Sequence, residues 1–151
     1  MLCYKTIIIP LVEYCKNKYP NGFIFGLTTN GTLLTKDSID FFVEHNFKLL
    51  LSFDGNRKTQ EYNRPNCDRN ISSYDLVTKN LKYLLEKLPW VCCRQTIHPE
   101  TVEELFNNYL EAEQLGFDRI ELVENARGNW TTDKIKILEE EFSKIYIYRL
   151  K

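Results

Sequence analysis

The sequence predicts an α/β fold: about four parallel strands with flanking helices, forming a partial (β/α) barrel. Three observations lead there. Residues 48–55, KLLLSFDG, run three leucines straight into a serine, an aspartate and a glycine. That is the pattern of a strand buried on both faces of a parallel sheet, with polar residues delivered to its carboxyl end. Apolar runs of this kind alternate with stretches at helical spacing, the rhythm of right-handed crossovers between parallel strands. Four parallel strands leave two open edges, so the pattern reads as a segment of a larger barrel. In such folds ligands bind at the carboxyl ends of the strands.

The elements follow in order. Ile7, Ile8, Leu11, Val12 and Cys15 recur at helical spacing and predict an amphipathic helix over about 4–18, ending before Tyr19-Pro20-Asn21-Gly22. Pro10 kinks that helix or marks its true start, because proline lacks a backbone donor and clashes with the preceding turn. Residues 23–28, FIFGLT, form the first strand, which closes in the turn signal Thr29-Asn30-Gly31. Thr35 caps a helix over about 36–46 with Ile39, Phe42 and Val43 inward. The second strand, 48–53, leads into a polar connection over 54–72 that is longer than the usual α/β loop, and long loops at this edge tend to carry function. Ser73 caps the next helix, whose apolar face is Val77, Leu81, Leu84, Leu85 and Leu88, and Pro89 ends it. Residues 90–97 form the third strand, closing with His98-Pro99. Val102, Leu105, Phe106, Tyr109 and Ala112 line a helix that stops at Gly116, a C-cap. Residues 118–123 form the fourth strand, 124–129 a polar loop, and Thr132 caps a last helix carrying Ile135, Leu138, Phe142 and Ile145.

Composition narrows the function classes. At 151 residues, 43% hydrophobic and 27% charged, the chain is expected to be one domain with a real core. Twenty basic against 21 acidic residues, without a basic block, leave no footprint for nucleic acid or an anionic membrane. No apolar run approaches the roughly 20 residues that cross a bilayer, and no charged-then-apolar leader opens the chain, so a cytoplasmic protein is expected. The five cysteines, Cys3, Cys15, Cys67, Cys92 and Cys93, are odd in number and lack framework spacing. Neighbouring Cys92 and Cys93 point to opposite faces of a strand, so the expectation is reduced thiols, most of them buried.

The strand ends supply the candidate chemistry: Thr28, Thr29, Asn30 and Gly31, then Ser52, Asp54 and Gly55, then Arg94, Thr96 and His98, then Glu124 and Asn125. Together they suit an amino-acid or nucleoside ligand, with Ser or Arg donors for a carboxylate, an acid for an ammonium, and Asp or Asn for a ribose. Plainer roles stand beside these. Asn30-Gly31 suits a bare turn, Ser52 and Asp54 suit local backbone bonding, and Arg64 suits a surface ion pair. His98 before Pro99 suits a structural role, Trp130 packing, and Cys67 an exposed thiol.

Five segments in one order and spacing, TTNGTLLT, LSFDGNRKTQEYNRP, SYDLVTKNLKYLL, RQTIHPETVEELFN and LGFDRIELV, resemble the radical S-adenosylmethionine (radical SAM) family. The branch they resemble is that of the sulfatase and peptide maturases that carry a C-terminal SPASM domain. The resemblance implies that residues 1–151 are a single domain, the C-terminal part of a radical SAM (β/α)6 core supplying its third to sixth strands. It implies S-adenosyl-L-methionine (AdoMet) and a 4Fe–4S cluster as cofactors of the parent enzyme, and a peptide or protein as its substrate. Thr29, Asn30 and Gly31 would lie near the cofactor, Ser52 and Asp54 of the SxDG pattern would contact its methionine or ribose portion, and Arg64 of the NRP motif would orient the site. The family's CxxxCxxC cluster motif and its Gly-Gly-Glu-Pro segment are both missing, and Met1-Leu2 falls where the family's chain continues past the latter. The resemblance therefore implies a truncated enzyme, inactive alone, with no catalytic residue and no metal ligands of its own. Its first strand lacks its natural neighbour and leaves an open edge, so the isolated chain is expected to self-associate or to be only marginally stable. The rival readings are a non-catalytic α/β module that grips a peptide or partner protein, and an unrelated barrel segment binding phosphate. The latter lacks a glycine-rich cradle.

Overall fold

Residues 3–20 and 22–151 are described by a computed structural model, and Asn21 of the expected turn lies outside them. Its centre is one sheet of four parallel strands: β1 (Gly26–Thr29), β2 (Lys48–Ser52), β3 (Cys92–Ile97) and β4 (Arg119–Glu124), in that spatial order. When each strand sits beside its predecessor, right-handed crossovers send every connecting helix to the same face. Burial follows that rule with period two. Leu49 and Leu51 of β2 and Cys93, Gln95 and Ile97 of β3 are buried, while Leu50, Ser52, Cys92, Arg94 and Thr96 between them are half-buried on the opposite face. The leucine run is thus buried on one face only, a correction to the sequence reading. Leu50 belongs to a face that carries mostly polar residues and, among the described residues, no covering helix.

The helices account for the rest of the core. Pro10 falls in the first turn of α1 (Ile9–Lys18), the true start of the α-helix, and the residues before it, Tyr4–Ile8, wind as a π-helical turn. α2 (Lys36–Glu44) begins with a capping box, in which Thr35 Oγ1 accepts from Ser38 N–H and Ser38 Oγ accepts from Thr35 N–H. β1 is shorter than the FIFGLT run suggests, because pairing with β2 begins at Gly26 opposite Lys48 and leaves Phe23 and Ile24 exposed. The long polar connection is not all loop: Asn56 caps α3 (Arg57–Asn63) by accepting from Thr59 N–H.

The single helix expected after it is two, α4 (Ser73–Thr78) and α5 (Leu81–Lys87), capped at the start by Ser72 rather than Ser73. The break falls at Asn80, whose side-chain amide donates to Leu34 O at 2.8 Å. That long-range bond holds Asn80 in a non-helical conformation. A 3-10 turn, Val102–Glu104, leads into α6 (Leu105–Gln114), and Gly116 follows at φ 100, the left-handed C-cap that the sequence predicts. The last helix, α7 (Thr132–Arg149), is capped by Thr131 rather than Thr132. Of its expected apolar stripe Ile145 is buried, while Ile135 and Phe142 are exposed.

Leu49, Leu51, Phe53 and Cys93 pack against Ile39, Phe42, Val77, Leu81, Leu84 and Leu88 in the larger core cluster. Ile97, Val102, Leu105, Tyr109 and Ile145 form a smaller one near β4. Of the cysteines only Cys15 and Cys93 are buried, fewer than expected; Cys92 lies on the open face, and Cys3 and Cys67 are exposed. No described helix is long and apolar enough to cross a membrane.

Candidate functional site at the carboxyl edge of the sheet

The strand register determines which candidates meet. β2 ends at Ser52, opposite Arg94, and Phe53 N–H then donates to Arg94 O, so the chain stays beside β3 until Asp54. Asp54 is buried, its side chain 1% exposed, and accepts three bonds on its two carboxylate oxygens. Arg64 donates from Nε at 2.9 Å and from Nη2 at 3.0 Å, and Thr96 N–H donates at 2.8 Å. Arg64 Nη2 also donates to Thr96 Oγ1 at 2.9 Å. This is a bidentate charge pair with both carboxylate oxygens engaged inside the protein, which suits burial better than a lone carboxylate. Arg64 is therefore not a surface ion pair: its partner lies inside, and its own side chain is 28% exposed.

Two further connections lock the turn between β2 and α3. Asp54 N–H donates to Gln60 Oε1 at 2.8 Å, and Asn56 N–H donates to Asn108 Oδ1 of α6 at 3.0 Å. Between them Gly55 adopts φ +108 and presses against Asn108, so that an added Cβ would lie 2.3 Å from Asn108 Cβ. Only glycine meets both demands. Asn56 Nδ2 also donates to Glu104, whose carboxyl is held below the usual range by hydrogen bonds from Asn107 first, then Lys58.

At the end of β1, Thr29 is buried and its Oγ1 accepts from Gly31 N–H at 3.1 Å. Asn30 Oδ1 accepts from Thr32 N–H and Oγ1, an Asx turn. Gly31 has φ +74, and a Cβ there would meet Leu51 Cδ1 at 2.6 Å. Thr29 pairs with Leu51, so the same register carried one step further sets Asn30 level with Ser52. Asp54, Arg64 and Thr96 are thus in direct contact, Ser52 stands half-buried on the open face beside them, and Thr29, Asn30 and Gly31 form the neighbouring loop on the same edge. At the far side His98 Nδ1 meets Asn125 Nδ2 at 3.2 Å, and Trp130 Nε1 donates to Asn125 O while its ring packs on the smaller core. Arg94 is paired with Glu121 across the open face at 2.9 Å.

Sequence reasoning missed Asn56, Gln60 and Asn108. Asn56 had a legible signal, an Asn three residues before a helical Thr; the other two act through contacts that local pattern does not encode. The larger hollows lie elsewhere. One of about 530 Å³ is lined by Tyr19, Phe23, Phe25, His45, Lys48 and Trp90 at the amino ends of β1 and β2. Another of about 690 Å³ runs over Leu50, Cys92, Arg119 and Glu121. Neither hollow is lined by Ser52, Asp54, Arg64 or Thr96, and the hydrogen-bonded edge carries the stronger chemical argument.

As cluster ligands the residues do not fit. Cys93 faces the core, its Sγ donates to Phe53 O, and burial pushes its thiol pKa far up. Cys92 points to the opposite face. Among the described residues no three His, Cys, Asp or Glu side chains gather where they could hold a metal ion.

The chain matches no family model and no curated protein. It is similar to solved structures of anSMEcpe, an anaerobic sulfatase-maturating enzyme of the radical SAM, SPASM type. Against the form with bound AdoMet the TM-score is 0.78 at 18% identity, covering 95% of this chain and 43% of that one. Against the form with AdoMet and the Kp18Cys peptide it is 0.76 at 19% identity, with 95% and 43% covered. Against that with the Cp18Cys peptide it is 0.75 at 17%, with 91% and 42% covered. The chain shares the fold of part of that protein and spans less than half its length.

Proposed function

We propose that the chain forms the AdoMet-facing part of a radical SAM maturase that modifies a peptide or protein. The observation that carries this reading is the edge itself: Ser52, the Asp54–Arg64–Thr96 network and the Asn30-Gly31 turn converge at the carboxyl ends of parallel strands. The similarity to an AdoMet-bound fold over 95% of the chain supports it. The similarity to peptide-bound forms of the same protein supports a peptide substrate for the parent enzyme.

In this reading Ser52 and the solvent-facing part of Arg64 touch the methionine or ribose portion of AdoMet. Asp54 works through Arg64, because its carboxylate is already engaged by protein donors. Thr29 and Gly31 shape the loop that presents Asn30. AdoMet, when bound beside a reduced 4Fe–4S cluster, supplies radical chemistry; the cluster's thiolates come from outside these 151 residues. The setting is the reducing cytoplasm, and the single domain contributes binding and orientation.

Calorimetric titration of AdoMet into the purified chain tests the proposal. We expect weak binding that Ser52→Ala and Arg64→Lys each reduce by about fivefold, the loss of one hydrogen bond. AdoMet binding that ignores both substitutions, or a peptide that binds where AdoMet does not, overturns it; the second outcome favours a peptide-gripping module.

A further inference from the structure

Behind the Asp54–Arg64 pair lies a small cavity walled by Asp54, Thr59, Gln95, Thr96, Leu105 and Asn108, with about 10 Å³ open to the centre of a water molecule. That is close to the room one water needs. Two atoms of its lining residues, Thr59 Oγ1 and Gln95 Oε1, are buried without a protein partner, and each residue is only 2% exposed. The orientation of Gln95 is set by its Nε2, which donates to Asn108 O at 2.8 Å and leaves Oε1 as the unpaired end. One atom is therefore a hydroxyl with a proton to donate and the other an acceptor that needs one. Buried polar groups without partners are rare because they forfeit their hydration.

We propose that this cavity is the site of one structural water, which accepts from Thr59 Oγ1 and donates to Gln95 Oε1 and so ties α3 to β3. A sodium ion suits oxygen ligands of this kind, but it cannot accept the Thr59 proton. The tether has a use. α3 is seven residues long, Arg64 leaves from its carboxyl end, and its other bonds to this region run through Gln60 to Asp54 and Asn63 to Thr96. Gln95 immediately precedes Thr96, which shares Asp54 with Arg64. The water therefore makes Thr59 and Gln95 positioning residues for the Arg64 guanidinium. This inference concerns the build of the edge and stands whether or not AdoMet is its ligand.

The test combines detection with a double-mutant cycle on the full chain. Water-to-protein NMR cross-relaxation should show a long-lived water beside the Thr59 side chain. Thr59→Val should lower the thermal midpoint by about 4 °C and Gln95→Met by more, since it also removes the Nε2 bond to Asn108 O; the double variant should fall well short of the sum, because with both partners of the water gone only that bond remains lost. Thr59→Ser keeps the hydroxyl and loses only a buried methyl, so its fall should be about 2 °C, smaller than that of Thr59→Val. The Arg64 Nε–H proton should exchange severalfold faster in Thr59→Val and return to the parent rate in Thr59→Ser, a readout that lost packing alone does not restore. Additive losses or no long-lived water overturn the proposal. So does stability that depends on sodium when choline replaces it, which assigns the site to a cation.

Discussion

At the carboxyl end of the sheet Asp54, Gln60 and Asn108 are polar and buried, whereas at the amino end Phe23, Ile24 and Trp90 are apolar and exposed. Both regions invert the usual distribution of side chains, and such inversions are the informative cases. The first is a network in which nearly every polar atom has a partner, and it fixes the position of one arginine. The second is apolar surface beside an edge strand, β1, whose outer side pairs with no other strand among the described residues. Polar groups interlocked below the surface hold one geometry, whereas exposed apolar surface beside an edge strand is free to be covered. The same sheet thus presents a finished end and an unfinished one.

The sharpest way to break that contrast is Gly55→Ala. Its φ is +108 and its Cβ would stand 2.6 Å from the Asn108 backbone Cα. We expect a loss above about 3 kcal/mol in urea denaturation, since the obstacle is backbone that cannot swing away. Parent-like stability would mean that the carboxyl edge is no more locked than the amino one.

Asp54→Asn comes next. It removes the charge that Arg64 faces, and we expect about 2–4 kcal/mol by the same measurement. A loss under about 0.5 kcal/mol would show that the pair is no anchor.

Cys93 gives a pH test. Its thiol pKa is raised by burial first, then by the charge of Asp54, so the folded chain keeps a proton that the unfolded chain releases above about 8.5. The stability tied to that proton is complete below about pH 8.5 and declines as pH rises, with a limiting slope of about 1.4 kcal/mol per unit. Cys93→Val should flatten that decline; an unchanged alkaline slope would remove Cys93 from the account.

Ile24→Lys has the smallest effect on folding, within about 0.5 kcal/mol, because Ile24 is 86% exposed. It should nevertheless reduce self-association in sedimentation velocity. A parent chain that sediments as a stable monomer would show that the amino end needs no neighbour.

Much of the fold was legible locally. KLLLSFDG, the Thr35 cap and Gly116 each carry their structure within a few residues, because strand period, capping and positive φ are local chemistry. The helical break at Asn80 and the anchoring of α3 were not. Asn80 leaves the helix for a carbonyl 46 residues away, and Gln60 and Asn108 act only where α3 and α6 meet the β2 end. Of the site, Asp54 and Arg64 were legible as motif members, but not that they face each other.

By itself the sequence determined the order of strands and helices, the parallel sheet and the polar residues at its strand ends, because these depend on periodicity and on side-chain preferences along the chain. Tertiary structure alone decided that all crossover helices cover one face, that Asp54 is buried against Arg64, and that the amino end stays open. Those outcomes depend on which distant groups come within hydrogen-bonding or packing distance, and no residue carries that information in its neighbours along the chain.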